Sequence, residues 1–212
     1  MNRFAYSVRE YLCIVRALKI GSARRPLPVE VWGSPYVKEV KDRFKAHKRI
    51  EQKERCCYCQ RSIRGECKMV LDIEHILPKS IFSHCIFDLP NLAVSCRRCN
   101  MDVKRASVKF LNGDPLHLTS IDKAELFKPD LYKFAHPNLV SVYKHIQIRQ
   151  HLIGAHTILF YKVFSPVGEY TYDFFKLKDF ETDSLDTAQG LTVPQDDDLY
   201  EYVRALEREI YN

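Results

Sequence analysis

No stretch of the 212-residue sequence approaches the roughly 18–20 consecutive apolar residues that a membrane span requires. The first twenty residues, MNRFAYSVREYLCIVRALKI, interrupt their apolar positions with Arg3, Arg9, Glu10, Arg16 and Lys19, so the continuous core of a signal peptide is also missing. Together these absences predict a cytoplasmic chain with no membrane partner. No internal repeat is present. Glycine is scarce, with seven residues, while a composition 46% hydrophobic and 28% charged is ordinary for a globular protein, so disorder is not expected.

The length supports one sizeable domain, or a small one with elaborations. A formal charge of +6 favours a polyanionic partner, but proteins that bind none often carry as much, so the charge needs a site beside it. Eight cysteines in a cytoplasmic chain point to metal ligands or buried thiols and away from a disulfide framework.

Val8, Leu12, Val15 and Leu18 stand at helical spacing and predict a first helix ending near Gly21. Residues 22–35, with three prolines and a glycine, are expected to be a connector. A second helix is expected from about Tyr36 to Arg55, with Val37, Val40, Phe44 and Ile50 following the helical period. Its many Lys and Arg residues fit a solvated face or a phosphate-facing stripe. KMVLDIEH (68–75) and LAVSC (92–96) predict strands, and RRCNMDVKRASVKF after Cys96 suits a short helix. Farther on, HIQIRQ (145–150), TILFYKVF (157–164) and EYTYDFFKL (169–177) read as strands, with SPVG (165–168) as a hairpin turn between the last two. An acidic loop at 183–198 and an amphipathic helix from Leu199 to Tyr211, bringing Tyr202, Val203, Leu206 and Ile210 to one side, complete the expected α+β order.

Cys56-Cys57-Tyr58-Cys59 and Cys96-Arg97-Arg98-Cys99 are two Cys-x2-Cys pairs separated by 36 residues. Each pair can grip one edge of a tetrahedral Zn²⁺, and four thiolates close the sphere, which makes that ion structural. Cys13, Cys57, Cys67 and Cys85 lack a suitably spaced partner and are expected to be non-ligands.

Between the pairs lie DIEHILPKS (72–80) and Asn91, and Asn100 follows the last cysteine. Glu74 and Asn100 offer the oxygen ligands that Mg²⁺ or Mn²⁺ prefers. His75 is suited to take a proton from water as a general base. Asp72 lies two residues before Glu74 on the same strand face, and it stays a rival ligand. Lys104, one helical turn beyond Asn100, would set an ammonium beside a phosphate; Lys79, Arg97, Arg98 and Arg105 are further nucleic-acid candidates.

Glu74-His75, Asn91 and Asn100, with Ile76-Leu77-Pro78 and Leu92, resemble the pattern of the HNH or ββα-metal endonucleases, and the cysteine pairs match its zinc-containing branch. The resemblance covers roughly residues 52–108. It departs at Glu74, where the family more often has Asp. It implies a ββα-metal core at 51–110 between an N-terminal helical segment (1–50) and a C-terminal mixed strand/helix extension (111–212). It also implies that His75 activates water, that Glu74 and Asn100 bind the catalytic ion, that Asn91 braces the His75 loop, and that the target is DNA. HPNLVSVYKHIQIR (136–149) and the strand-rich tail look like the PtuB-like HNH subunits of Septu or retron antiphage systems, which would imply an ATPase partner. A stand-alone restriction or mobile-element nuclease and a zinc module that binds without cutting are the alternatives. No recognition helix is identifiable, so target sequence is not legible.

Overall fold

The computed structural model describes residues 3–19, 27–67, 70–153, 156–181, 201 and 205. The chain begins with helix α1, Val8–Leu18, where Ser7 accepts from the Glu10 amide and the Glu10 carboxylate accepts from the Ser7 amide. This reciprocal cap satisfies two amides that a helix start otherwise leaves open. The buried edge of α1 is Ile14 and Ala17, whereas Val8, Leu12 and Leu18 of the expected stripe face solvent. The expected connector contains a second helix, α2, Pro28–Gly33. Pro28 occupies its first turn, where no amide is needed, and Glu30 folds back onto the Leu27 amide.

After a single tight turn at Pro35–Val37 comes α3, Lys38–Glu51. Val37, Val40 and Phe44 are buried; Ile50 is 58% exposed and does not continue the stripe. The helix stops short of Arg55 because Lys53 and Glu54 both take left-handed backbone conformations, with φ of 55° and 53°. Lys45 donates to the Leu71 carbonyl, which ties α3 to the strand that follows.

Strand β1, Leu71–His75, pairs antiparallel with β2, Leu92–Cys96, in the register Leu71 with Cys96 and His75 with Leu92. Residues 68 and 69 of the expected strand lie outside the described residues. Immediately after β2 the chain winds into a widened helical turn, Arg98–Lys104. Strand, strand and helix therefore follow in the expected order. Two short helices follow, α4, Pro115–Leu118, and α5, Lys123–Leu126.

A second hairpin joins β3, Ile146–Ile153, to β4, His156–Val163. The third expected strand of this region is instead helix α6, Pro166–Phe174. Residues 165–168 start that helix and do not turn a hairpin: Ser165 caps the Gly168 amide at 3.1 Å and Pro166 sits in the first turn. Gly168 lies so close to the second hairpin that a Cβ there would stand 2.0 Å from the His145 carbonyl oxygen. Inside the helix, Thr171 returns its hydroxyl to the Val167 carbonyl at 2.7 Å and accepts from the Ala135 amide at 2.9 Å. The strand-favouring Tyr, Thr and Phe residues of 169–177 are overridden by this capping and packing. The expected loop at 183–198 lies outside the described residues, as does the expected final helix apart from Glu201 and Ala205, both helical.

The main apolar core contains Tyr58, Ile63 and Leu77 together with Phe110, Phe134, Leu159, Tyr161 and Phe175, so the cysteine unit and the C-terminal extension share it. Smaller clusters seat the N-terminal helices: Ile14, Ala17, Val31 and Val37 pack with Ile86, and Phe4 and Phe44 with Leu92. The described residues are thus mixed α/β with two small sheets. No helix among the described residues is long and apolar enough to cross a membrane.

Candidate active site and metal centre

The four paired cysteines are all buried, and their sulfurs lie within 4.8 Å of one another. Backbone geometry brings them together. The Cys57 amide donates to the Val94 carbonyl at 3.0 Å and the Cys96 amide to the Cys56 sulfur at 3.3 Å, so the first pair is sewn to β2. Gln60, at φ 59°, turns the chain back and donates its side-chain amide to the carbonyls of Cys56 and Cys57, both at 3.0 Å. The Cys59 and Cys96 sulfurs are 3.9 Å apart. A tetrahedron with Zn–S of about 2.3 Å has edges of about 3.8 Å, so these residues fit a four-thiolate zinc ion. Cys57 is buried beside them but its sulfur is not in the group, nor are those of Cys13, Cys67 and Cys85.

Alternation along β1 sends Asp72 and Glu74 to one face and Ile73 and His75 to the other. On the first face the helical turn 98–104 lies against the strand. Asn100 donates its amide to the Asp72 carboxylate at 3.1 Å. Glu74, 2% exposed, pairs with the Lys104 ammonium at 2.7 Å and accepts from the Tyr58 hydroxyl at 3.0 Å. Burial pushes the Glu74 carboxyl up, against the pull of Lys104 and Tyr58 toward the carboxylate. Lys104 is 1% exposed, also donates to the His75 carbonyl at 2.9 Å, and stands over the Phe110 ring. Its expected place beside a phosphate is therefore corrected: it lies inside the core and neutralises a buried carboxylate. Asn100 meets Asp72, the rival carboxylate, while Glu74 is committed to Lys104.

On the opposite face the His75 imidazole, 6% exposed, sets Nε2 3.1 Å from the Ile86 carbonyl oxygen. A ring nitrogen facing a carbonyl carries the hydrogen, so in the neutral ring the lone pair is on Nδ1. Burial, helped by the nearby Lys79 charge, pulls the His75 pKa down to about 3 and keeps the ring neutral. The Trp32 ring of α2 meets it edge to face, centroids 4.3 Å apart. Asn91, fully buried, ties the loop after His75: its Oδ1 accepts from the Leu77 amide at 2.7 Å, and its Nδ2 donates to the carbonyls of Leu77 and Cys85 at 3.2 and 3.0 Å.

The remaining basic candidates divide. Lys79 is half-buried near His75 and Glu74, and Arg97 is exposed. Arg105 is exposed and donates to the Met101 carbonyl at 3.1 Å. Arg98 is not free for nucleic acid, because its guanidinium binds the carbonyls of Phe175 and Lys176 and the Asp179 carboxylate, at 2.8–3.0 Å. The α3 stripe is likewise largely committed: Arg43 to Glu10, Lys48 to Glu51, Arg49 to Glu54, and Lys41 to the Trp32 carbonyl. Sequence reasoning missed Tyr58 and Trp32. Tyr58 had a signal in its place between the ligands of the first pair; Trp32, the one tryptophan of the chain, had only its rarity.

No family model matches the chain, and no solved structure matches it. Among curated proteins, Septu protein PtuB of Bacillus thuringiensis is 34% identical over 70 residues, which are 33% of this chain and 24% of that protein. The chain thus spans about a quarter of the length of the relative it matches, and over that stretch it is related to a Septu protein.

Proposed function

We propose that the protein is an HNH-type endonuclease that hydrolyses DNA phosphodiesters with a divalent metal, the nuclease arm of an antiphage system that works with an ATPase. The domain at 51–110 would carry the ββα-metal core, held by zinc on Cys56, Cys59, Cys96 and Cys99. The observation that carries the reading is the convergence of Asn100 on Asp72 across a cysteine-clamped hairpin that ends in His75, its tautomer held by Ile86. Similarity to a Septu protein supports the defence role.

Carboxylate and amide oxygens are the hard donors that Mg²⁺ or Mn²⁺ takes, so Asp72 and Asn100 would hold the ion, with Glu74 beside them restrained by Lys104. When bound, that ion would neutralise charge developing on the phosphate. His75 takes the proton of the attacking water on Nδ1. Its neutral state in the free protein is the state a base needs, and an arriving phosphate anion strengthens its hold on that proton. Asn91 keeps the loop from drifting. Lys79, half-buried near His75 and Glu74, would supply the ammonium that meets substrate phosphate.

Plasmid nicking with Mg²⁺ or Mn²⁺ tests this. His75→Ala should lose on the order of 10²–10⁴ in rate. Equal cleavage by both proteins would refute the mechanism. Co-expression with the neighbouring gene tests the ATPase partnership by co-purification.

A further inference from the structure

An imidazole held by one hydrogen bond has its tautomer chosen but not its tilt, because the ring can still rock about the Nε2 contact. A base must present its lone pair to the water within a narrow range of distance and angle. In this chain the second point of support comes from outside the zinc-bracketed unit. The Trp32 ring lies 4.3 Å from the His75 ring at 76°, so one plane stands against the edge of the other and blocks rotation in that direction.

Trp32 is itself held from several sides. Lys41 donates to its backbone carbonyl at 2.7 Å, and the same ammonium sits 5.2 Å from its ring centroid. Phe87 packs on it at 5.6 Å, and the Phe87 carbonyl is tied by the Tyr6 hydroxyl at 3.0 Å. Phe87 directly follows Ile86, whose carbonyl receives the His75 hydrogen. Both supports of the imidazole therefore belong to one locked cluster, built from the N-terminal helices and the loop before β2.

We propose that Trp32 is a positioning residue for His75, an aromatic wall from α2 that fixes the imidazole so that Nδ1 meets the reacting water. The inference rests on the nuclease reading. It predicts that the N-terminal helical segment completes the active site, which the motif residues alone do not.

The test compares the zinc-loaded wild-type chain with Trp32→Phe and Trp32→Leu, both apolar and small enough to fit the space. Trp32→Leu should lower kcat by on the order of tenfold or more at nearly unchanged KM, while Trp32→Phe stays within about threefold of wild type, since a small misplacement of a base costs rate and not binding. Nitrogen-15 spectra of the imidazoles add a readout that stability alone would not move. The His75 Nε2–H signal should be single in wild type and Trp32→Phe; in Trp32→Leu the freed ring should rock, lengthen its Nε2 contact to the Ile86 carbonyl and so let the Nδ1–H form mix in. Wild-type kcat in Trp32→Leu, equal slowing in both variants, or a faster Trp32→Leu enzyme, which would make the tryptophan a cover, overturns the proposal. If the wild type cuts nothing, the nuclease reading falls separately, and the tautomer comparison still decides whether Trp32 sets the ring.

Discussion

β1–β2 and β3–β4 are both antiparallel hairpins, five and eight residues to the strand, yet the first carries Glu74 and His75 into the interior while the second leaves Gln150 and Lys162 at the surface. The buried positions described in the second are Ile146, Leu159, Phe160 and Tyr161. A hairpin that only packs needs no polar partners inside. The first hairpin does need them, because an ionisable group moved out of water is costly unless it is met by charge or hydrogen bonds. Its partners arrive from every side: Lys104 from the following helical turn, Tyr58 from the first cysteine pair, Ile86 from the intervening loop and Trp32 from α2. Such concentration of dedicated contacts around five residues is what burial of a carboxylate and an imidazole demands, and it supports the proposed nuclease reading.

The largest break in this contrast should come from the metal. Cys96→Ser removes one of four thiolates, and structural zinc contributes about 10–16 kcal/mol to small domains that fold around it. Metal analysis should show the loss of one zinc per chain, and hydrogen exchange should show residues 56–104 losing protection before β3–β4. A variant that keeps its zinc and its melting curve would show that these sulfurs do not form the cage.

Next in size is the buried ion pair. Lys104→Met leaves Glu74 in the core without its ammonium, a change expected to cost about 3–5 kcal/mol in urea unfolding. Adding Glu74→Gln should restore more than half of that, because the stranded charge is gone. If the single variant is as stable as wild type, the first hairpin is not organised around this pair.

Short-range features of both regions were legible in the sequence. The cysteine pairs declare themselves by spacing, and the strand, strand and helix between residues 71 and 104 follow from local pattern. What escaped was decided at long range. The face of α1 depends on Ile86, far along the chain, and not on the tidier Val8–Leu12 spacing. Lys104 does lie on the side of the helical turn that faces β1, as its spacing from Asn100 implied, but spacing could not say that Glu74 waited there in place of solvent. Residues 169–177 were misread because their aromatic composition outweighed the Ser165-Pro166 start signal, and only Gly168 passing close to His145 shows why a helix is wanted.

Between the hairpins, His136 gives a pH test. Burial, with Lys48 adding to it, pulls its pKa from 6.5 to about 3, and its Nδ1 accepts from the Asn138 amide at 3.2 Å, so the folded protein holds it neutral. The unfolded chain binds that proton more readily. Its contribution is therefore complete above about pH 6.5 and is lost as pH falls toward 3, with a slope of at most about 1.4 kcal/mol per pH unit. His75 contributes with the same sign. Urea midpoints between pH 6.5 and 5, above the carboxylate range, should fall for wild type and fall less steeply for His136→Gln. An equal slope in both would place the proton uptake elsewhere.

The smallest effect should come from a polar tie between the second hairpin and the cysteine unit. Tyr161 donates its hydroxyl to the Cys59 carbonyl at 2.8 Å, while its ring packs in the shared core and meets Tyr172 edge to face at 6.0 Å. Tyr161→Phe keeps the ring and removes one neutral hydrogen bond, which costs about 0.5–1.5 kcal/mol. Zinc content should be unchanged, because the adjoining Gln60 stays anchored to the Cys56 and Cys57 carbonyls and all four thiolates keep their places. If Tyr161→Phe cost as much as Lys104→Met, or released zinc, the second hairpin would be part of the metal cage and no longer a packing element, and the contrast between the two hairpins would not stand.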